Sequence, residues 1–380
     1  MTTIDIRSAQ LDPALGDAAV VAAVAGVAVD QLAPLATRID HEGHYPLEVM
    51  ASLARAGAFA GHLRRNGERY GVALGAMHEI SRQCGSTGFL TWAHDVCALY
   101  LEQSGNPALD GQLLDDHVAG RSFGGTGLSN PMKAFAGIER MLLRARRVAG
   151  GYRVSGALPW VSHIGPGQYF GAIASVYRDD QSHSHDIIFL VRCDQQVVLR
   201  QCPEFSGMEG TSTWGVRLED YFVGEDNMIA DPARPFIEKI RAAFILLQIG
   251  MATGLIQGAL DSMRDVEPLL GHVNQFLDDR PDELEAEYLE LAGRVARLVG
   301  SPFDGSKDYM LDVLDARAQG AELALRATQS ALLHQGARGY LINSAPQRRV
   351  REAHFAAIVT PAIKHLRSEM ARLSREEVPA

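Results

Sequence analysis

The stretch Gly156-Ala157-Leu158-Pro159-Trp160-Val161-Ser162-His163 lies within residues 120–227, where short β-like segments are separated by Gly and Pro. Just before it, residues 152–155 follow the turn-like pair Gly150-Gly151. Three further segments have strand patterns, and the last of them places Val216, Leu218 and Phe222 on one face: residues 169–176, 186–192 and 213–223. Strands at this spacing predict a small barrel or sandwich.

Both flanks of this region have the pattern of helices. Apolar residues recur at helical intervals in six segments: 47–54, 72–84, 91–103, 281–300, 311–335 and 352–373. Pro361 interrupts the last of these, and Gly57, Gly85 and Gly105 fall where helix ends are expected. The sequence therefore predicts an α+β chain of three parts: an N-terminal helical domain (1–118), a middle β-domain (119–230) and a C-terminal helical bundle (231–380).

Composition excludes several classes of protein. Hydrophobic residues make up 47% and charged residues 22% of the 380 residues, which is typical of a globular protein and not of a disordered one. The net charge of −10 argues against nucleic-acid and anionic-membrane partners, which require a basic surface. Residues 18–29 are apolar, but we expect Asp30 to end the run short of the ~20 residues that span a bilayer.

Cysteine usage predicts a location. The four cysteines form no C-x-x-C pair, and a chain of this size needs no disulfides: Cys84, Cys97, Cys193 and Cys202. The N-terminus does not have the basic and apolar pattern of a signal peptide. We therefore expect a cytoplasmic protein with reduced thiols.

The common catalytic and nucleotide-binding motifs are missing from the sequence: G-x-x-x-x-G-K-[ST], H-E-x-x-H and G-x-S-x-G. Residues 125–130 (GTGLSN) begin like a dinucleotide fingerprint, but Asn130 replaces the third glycine and no βαβ unit follows. We therefore exclude a Rossmann site.

Three groups of histidines have a structural interpretation beside a functional one. His183 and His185 could be metal ligands, but a solvated hairpin tip is the better interpretation because no third ligand is evident. His41 and His44 are best explained as part of a surface loop. His94 lies on an apolar helix, where a buried, hydrogen-bonded histidine is the simpler interpretation. We predict no metal site.

The order of helices, β-module and helical bundle resembles the acyl-CoA dehydrogenase superfamily of flavoproteins over nearly the whole chain. Residues 123–131 (FGGTGLSNP) are similar to the family strand that ends in Thr-Glu-Pro, and residues 156–163 to its G-x-K-x-W-[IV]-[ST]-N. Three further segments resemble family motifs in the same order: 207–218 (GMEGTSTWGVRL), 336–340 (GARGY) and 348–353 (RRVREA). Each motif is weak alone, and the five in order are specific.

The resemblance implies a flavin and names the residues that would hold it. The cofactor would be FAD, or alternatively FMN taken up as reduced flavin. Leu128 and Ser129 would supply hydrogen bonds to the ring edge, and Trp160 and Ser162 an aromatic wall and one more hydrogen bond. A core aromatic is the alternative interpretation of Trp160. Gly336 and Gly339 would allow close approach of the backbone at the adenine end.

The sequence departs from the family at the catalytic base. The family's glutamate after the R-D-A motif aligns with Thr360, and the position used by a second branch aligns with Phe244; Glu238 is close but out of register. Threonine is not a useful base near neutral pH. Two flavin contacts are also missing, because the family's arginine falls in residues 271–275 and its glutamine aligns with Leu333.

These departures leave three hypotheses open. The first is an oxidoreductase like acyl-CoA dehydrogenases, acting on a small molecule such as an acyl-CoA thioester and passing electrons to a separate acceptor. The second is a group D flavin monooxygenase that uses reduced flavin from a separate reductase and O2, with His94, Ser162 and His354 lining a polar pocket. The third is a non-catalytic subunit of a heteromeric flavoprotein. The family and the helical bundle imply a homodimer or homotetramer.

Overall fold

The computed structural model describes residues 16–375. Helices form the N-terminal part of the chain, a single sheet the middle and helices again the C-terminal part, so the predicted α+β fold class is confirmed. The first part contains α1 (Asp17–Val27), α2 (Ala36–His41), α3 (Leu47–Arg55), α4 (Tyr70–Gln83), α5 (Gly85–Gln103) and α6 (Gln112–Val118).

The first apolar run does not end at Asp30, and this expectation was wrong. A π-helical turn (Ala28–Leu32) and a 3-10 turn (Ala33–Leu35) continue the helical chain from α1 into α2. Asp17–His41 and Ala233–Asn274 are each long and apolar enough to cross a membrane by length and composition alone. The second run is 94% buried within the protein, as a core helix is.

The middle part is an eight-stranded sheet, with one short helix, α7 (Ser129–Phe135), inserted after the first strand. Its strands are β1 (Gly124–Thr126), β2 (Leu143–Val148), β3 (Gly151–Val161), β4 (Tyr169–Tyr177), β5 (His183–Arg192), β6 (Val197–Gln201), β7 (Trp214–Gly224) and β8 (Met228–Ala230). The strand order is β6-β7-β3-β2-β4-β5-β8, and β1 pairs in parallel with β4. Residues from β4 and β5 share one apolar core with residues from β3 and β7, so the sheet curls around its own interior.

Two details of the predicted strands were wrong. Asp220 has a left-handed backbone (φ 53°) at a bulge opposite Ser155, and this extra residue shifts the alternation of β7. Tyr221 and Val223 are therefore buried, whereas Phe222, predicted to share a face with Val216 and Leu218, is exposed. His183 and His185 pair with β4 as the first residues of β5, so they do not form the hairpin tip.

The C-terminal part is a bundle of long helices. It contains α8 (Ala233–Leu247), α9 (Ile249–Asn274), α10 (Pro281–Leu298), α11 (Lys307–Gln335), α12 (Ala345–Ile358) and α13 (Ile363–Arg375). The break between α12 and α13 falls at Pro361, as predicted. The largest apolar core joins residues of α5, α8 and α11 to Tyr169 of the sheet, so all three parts meet at one place.

Candidate functional site

A cavity of about 470 Å³ lies where the three parts of the chain meet. The N-terminal helices contribute Phe89 and Trp92 from α5, and the sheet region contributes Trp160 and Ser162 at the end of β3. The remaining lining residues come from the stretch from β1 to α7, the segment before β7, helix α8, and helix α12 with the two residues that follow it: Thr126, Leu128, Ser129, Lys133, Phe205, Ser206, Gly207, Met208, Thr211, Thr213, Phe244, Arg351, His354, Phe355, Ile358, Val359 and Thr360. A cavity of this volume can enclose a small organic ligand.

The structure brings most of the predicted site residues to this cavity. Leu128, Ser129, Trp160, Ser162 and His354 all line it, although they are spread over more than 200 residues of sequence. Phe244 and Thr360, which the sequence resemblance aligns with the family's two bases, line it as well. Glu238 is exposed on α8 and is not a lining residue.

Hydroxyl groups are hydrogen-bonded to each other along two walls of the cavity. Ser162 Oγ lies 2.7 Å from Thr213 Oγ1, which lies 2.8 Å from Thr211 Oγ1. On the opposite side Ser129 Oγ lies 2.9 Å from Thr360 Oγ1. Hydroxyls can donate or accept, so both walls can adapt to either kind of ligand atom.

Trp160 is 54% exposed, so its interpretation as a core aromatic was wrong. Its indole is edge-on to Phe205 across a centroid distance of 6.4 Å, and it lies on the cavity wall. An indole exposed next to hydroxyl groups fits a flat, partly polar ring system such as a flavin. As the first residue of α7, Ser129 also has a backbone N–H without an acceptor inside its helix.

Four aromatic side chains that contact one another line the cavity. Phe89 is stacked on Trp92 and edge-on to Phe355 at 4.7 Å, and Trp92 is edge-on to Phe244 at 5.2 Å. Trp92 Nε1 donates to the Phe244 carbonyl at 3.4 Å, which satisfies the one polar atom of this group. We call these four residues the aromatic cage. It suits a planar apolar ligand, and sequence periodicity could not separate its members from core residues.

The charged residues of the cavity wall are all basic. Within residues 16–375, the lining set contains Lys133, Arg351 and His354 but no Asp or Glu. Lys133 pairs with Glu139 at 3.0 Å, and Arg351 pairs with Asp40. The cavity therefore offers no carboxylate to act as a base.

His94 does not line the cavity, because it is part of a buried histidine network. His94 and His117 are stacked with ring centroids 3.5 Å apart, and each Nε2 lies within 3.0 Å of the other's backbone carbonyl. Both Nε2 atoms must therefore donate, which leaves Nδ1 of each ring as an acceptor. His163 Nε2 donates to His94 Nδ1 at 3.2 Å, Tyr45 donates to His163 Nδ1, and Tyr169 donates to His117 Nδ1. We assign no catalytic role to His94.

Burial keeps this network neutral. It lowers the pKa of His117 and of His163 to about 3, and it also lowers the pKa of His94 well below its usual value. His163 has a left-handed backbone (φ 61°) and directly follows Ser162, so the network ties the Trp160–Ser162 wall to α5. No sequence pattern predicted this arrangement, since His94 was the one member considered as a site residue.

Gly336 and Gly339 line neither this cavity nor the adjacent cleft of about 960 Å³, which reaches Ile342 and Gln347. Gly336 has φ 58°, and a Cβ added there would meet no atom of this chain within 4 Å. Its open side leaves room for another molecule.

In residues 16–375 no group of three or more His, Cys, Asp or Glu side chains could hold a metal ion.

Comparison with known proteins identifies the fold. Residues 17–121 match the family described as "Acyl-CoA dehydrogenase, N-terminal domain". A short-chain-specific acyl-CoA dehydrogenase of Clostridium acetobutylicum is 22% identical and the alignment covers 87% of this chain and 90% of the relative. A mitochondrial isovaleryl-CoA dehydrogenase of Arabidopsis thaliana is 26% identical, with 88% and 85% covered.

Solved structures extend the likeness over almost the entire chain. Butyryl-CoA dehydrogenase from Megasphaera elsdenii superposes with a TM-score of 0.82 at 16% identity, covering 98% of this chain and 100% of that one. Dibenzothiophene monooxygenase from Paenibacillus sp. A11-2 superposes with a TM-score of 0.79 at 15% identity, covering 95% and 98%. The domain match, the relatives along its length and these structures show that the chain has the acyl-CoA dehydrogenase fold and is similar in sequence to proteins named acyl-CoA dehydrogenases.

Proposed function

We propose that this protein is a flavin-dependent monooxygenase that acts on an aromatic substrate in the cavity where the three parts of the chain meet. The observation that carries the proposal is the cavity wall without a carboxylate. Thr360 and Phe244, which the sequence resemblance aligns with the family's two bases, both lie on this wall. Dehydrogenation next to a thioester carbonyl requires a base that removes a carbon-bound proton, and neither residue can do so near neutral pH. Oxygenation does not require such a base.

The residues present fit a flavin, with FAD as the first choice and FMN as the alternative. Trp160 would cover one face of the ring, and the Ser162–Thr213 hydroxyl pair would bond to its polar edge. Ser129, at the start of α7, would bond to the same ring from the other wall. A bound reduced flavin would supply the two electrons with which O2 gives one oxygen atom to the substrate and the other to water.

The aromatic cage supports an aromatic substrate. One pair of its rings is stacked and two pairs are packed edge to face, and all four rings line the cavity. Two of the solved structures with this fold are, by their names, a dibenzothiophene monooxygenase and an indole-bound form of the same enzyme, both with TM-scores of about 0.8. Planar bicyclic and tricyclic compounds are therefore the first candidates.

His354 is the group best placed to accept a proton from the substrate. Its Nδ1 lies 2.7 Å from the Val350 carbonyl and must donate to it, so the neutral ring carries a lone pair on Nε2. The side chain is exposed and lines the cavity. A substrate hydroxyl or N–H could therefore transfer its proton to Nε2 as oxygen is introduced.

An anaerobic titration with reduced and oxidised FAD and FMN tests this proposal. We expect reduced flavin to bind more tightly than oxidised flavin, and admission of O2 with indole or a naphthol to give a product carrying one oxygen atom from labelled O2. Tight binding of oxidised flavin that an acyl-CoA bleaches under anaerobic conditions would overturn the proposal. A homo-oligomer that binds flavin but consumes neither substrate would indicate the non-catalytic subunit instead.

Partners are part of the proposal. Reduced flavin would come from a separate reductase, because one flavin ring and one small substrate would fill a cavity of about 470 Å³. Exposed apolar residues of the C-terminal bundle support a homodimer or homotetramer, notably Phe276 (82% exposed), Tyr340, Leu341 and Ile342. A cytoplasmic location and the domain limits 1–118, 119–230 and 231–380 stay predictions.

A further inference from the structure

Arg317 of α11 is a charged residue buried behind the cavity, only 1% exposed. Its Nε donates to Gln248 Oε1 at 3.0 Å and its Nη2 donates to the Ala356 carbonyl at 2.5 Å. Its Nη1 has no hydrogen-bond acceptor among residues 16–375. Burial lowers the pKa of Arg317 to about 10, which still leaves the guanidinium protonated at neutral pH.

Arg317 differs from the other two buried arginines because, within the described part of the chain, no carboxylate pairs with it or acts on its charge. Arg348 pairs with Glu352 at 3.3 Å, and the charges of Glu352 and Asp261 act on Arg349. Burying a charge without a counter-ion costs free energy. We therefore expect a function of the Arg317 guanidinium beyond stability. The negative end of the α12 dipole explains why Nη2 of Arg317 bonds to the Ala356 carbonyl. The dipole does not explain the placement of Nε and Nη1.

Two hydrogen bonds connect Arg317 to the cavity wall. Gln248 receives the bond from Arg317 on Oε1 and donates from Nε2 to the Thr360 carbonyl at 2.9 Å. Thr360 Oγ1 then meets Ser129 Oγ at the wall. Ala356 follows the lining residue Phe355, so the guanidinium lies directly behind two parts of the wall.

We infer that Arg317 is a positioning residue that holds Thr360 and gives the cavity a permanent positive potential, so that the site binds its aromatic ligand as an anion of the phenolate type. The inference rests on the proposed function for the identity of the cavity. The wall without Asp or Glu leaves this charge uncompensated, and water exclusion by the aromatic cage strengthens its effect. His354 would take up the proton that the ligand loses.

A pair of ligands with matched shapes tests the inference. 4-Nitrophenol ionises to a yellow phenolate, whereas 4-nitroanisole has almost the same shape and cannot ionise. Binding of either ligand can be followed by quenching of the fluorescence of Trp92 and Trp160, which line the cavity. The wild-type protein, with and without reduced FAD, should bind the phenolate at least tenfold more tightly than the anisole and increase the ionised fraction of bound nitrophenol.

Arg317→Met should weaken binding of the phenolate about tenfold and leave binding of the anisole within twofold, whereas a merely structural role would weaken both alike. Gln248→Glu is the second variant, since it places a carboxylate beside Arg317 and removes the donor to Thr360; we expect the same selective loss. Arg349→Met is the matched control, because it removes a buried arginine that does not line the cavity and bonds to Ser262. If Arg317→Met does not fold, the binding of the two ligands to Gln248→Glu distinguishes the positioning role from a merely structural one.

The outcomes separate the inference from the proposed function. Equal binding of both ligands by the wild-type protein, or an equal loss of both in the two variants, would overturn the inference and leave the monooxygenase proposal intact. Failure of the wild-type protein to bind either ligand would show that the cavity is not an aromatic site. That result would overturn the proposed substrate, and the inference with it.

Discussion

The imidazole rings of His94 and His117 are stacked 3.5 Å apart and 9° from parallel, and each ring donates a hydrogen bond to the backbone carbonyl of the other residue. This reciprocal pair joins α5 to α6 and requires both rings to be neutral, because their Nδ1 atoms accept hydrogen bonds from His163 and Tyr169. Protonation of Nδ1 in either ring would place a new N–H group against the donor from His163 or Tyr169 that already points at that atom.

We expect stability to fall steeply with acidification from about pH 6.5. Burial lowers the pKa of His62 and His78 to about 4 and that of His117 and His163 to about 3, and it lowers that of His94 as well. The unfolded chain binds protons on these residues near pH 6.5 and the folded chain does not, so the free energy of unfolding decreases as pH falls through this window.

Each of these five histidines contributes about 1.4 kcal/mol per pH unit. Asp95 has the opposite effect on stability, because burial raises its pKa and the folded chain therefore binds a proton there at a higher pH than the unfolded chain does. Denaturant unfolding at pH 7, 6 and 5 should therefore show a free energy of unfolding that decreases more between pH 6 and 5 than between pH 7 and 6. His117→Gln should have a shallower slope, and the exposed His272→Gln should keep that of the wild type. A flat profile from pH 7 to 5 would contradict this prediction.

Trp160→Ala should weaken flavin binding with little change in thermal stability. The indole is half-exposed, so the fold loses little packing, whereas a stacked ring contributes about 0.5–1.5 kcal/mol to a partner. The dissociation constant of reduced FAD should rise roughly three- to tenfold, and Trp160→Phe should restore most of the affinity. Trp214→Phe, in the adjacent cleft, provides the comparison. Unchanged affinity in Trp160→Ala would place the flavin elsewhere.

His354→Gln should lower kcat by roughly 10²–10⁴, with a small change in KM and in melting temperature. Glutamine keeps a polar side chain on the exposed face of α12 but cannot take up a proton. Steady-state oxygen consumption with a phenolic substrate measures the effect, with His272→Gln as the control. If the variant turned over at the wild-type rate, the proton would have another acceptor.

Gly125→Ala should destabilise the protein and displace the flavin wall. A Cβ at Gly125 would lie 2.1 Å from the Ser162 carbonyl oxygen and 3.2 Å from that of His163, so β1 and the end of β3 would have to separate. We expect a loss of about 1–3 kcal/mol in unfolding free energy, together with weaker flavin binding. Gly293→Ala on α10 meets no atom within 4 Å and should stabilise the helix by about 0.5–1 kcal/mol. Equal stabilities of the two variants would argue against the close approach.

Much of the fold could be predicted from local patterns. The helix over Leu47–Arg55 and the break at Pro361 follow from apolar spacing and proline chemistry, which are properties of short segments. The exposure of Phe222 could not be predicted, since the bulge at Asp220 depends on how β7 pairs with β3. The length of the first apolar run was also underestimated, because helical turns continue past Asp30.

The candidate site divides in the same way. Ser129, Trp160 and Ser162 could be predicted because they lie in contiguous motifs. Arg317 and Gln248 could not, since an arginine within a long helix has no sequence feature that separates burial from exposure. The partners of His94 lie at residues 45, 117 and 163, and only the tertiary fold brings them together.

The hydrogen bond between Ser129 and Thr360 joins residues 231 positions apart, at a cavity whose walls come from all three parts of the chain. The binding site therefore exists only in the complete fold, and an unfolded chain retains no part of it. A ligand that fills the cavity acts as a reversible cross-link, and its binding free energy adds to the stability of the whole molecule. At a hundred times its dissociation constant this amounts to about 2.7 kcal/mol, so a rise in melting temperature can identify ligands before any reaction is known.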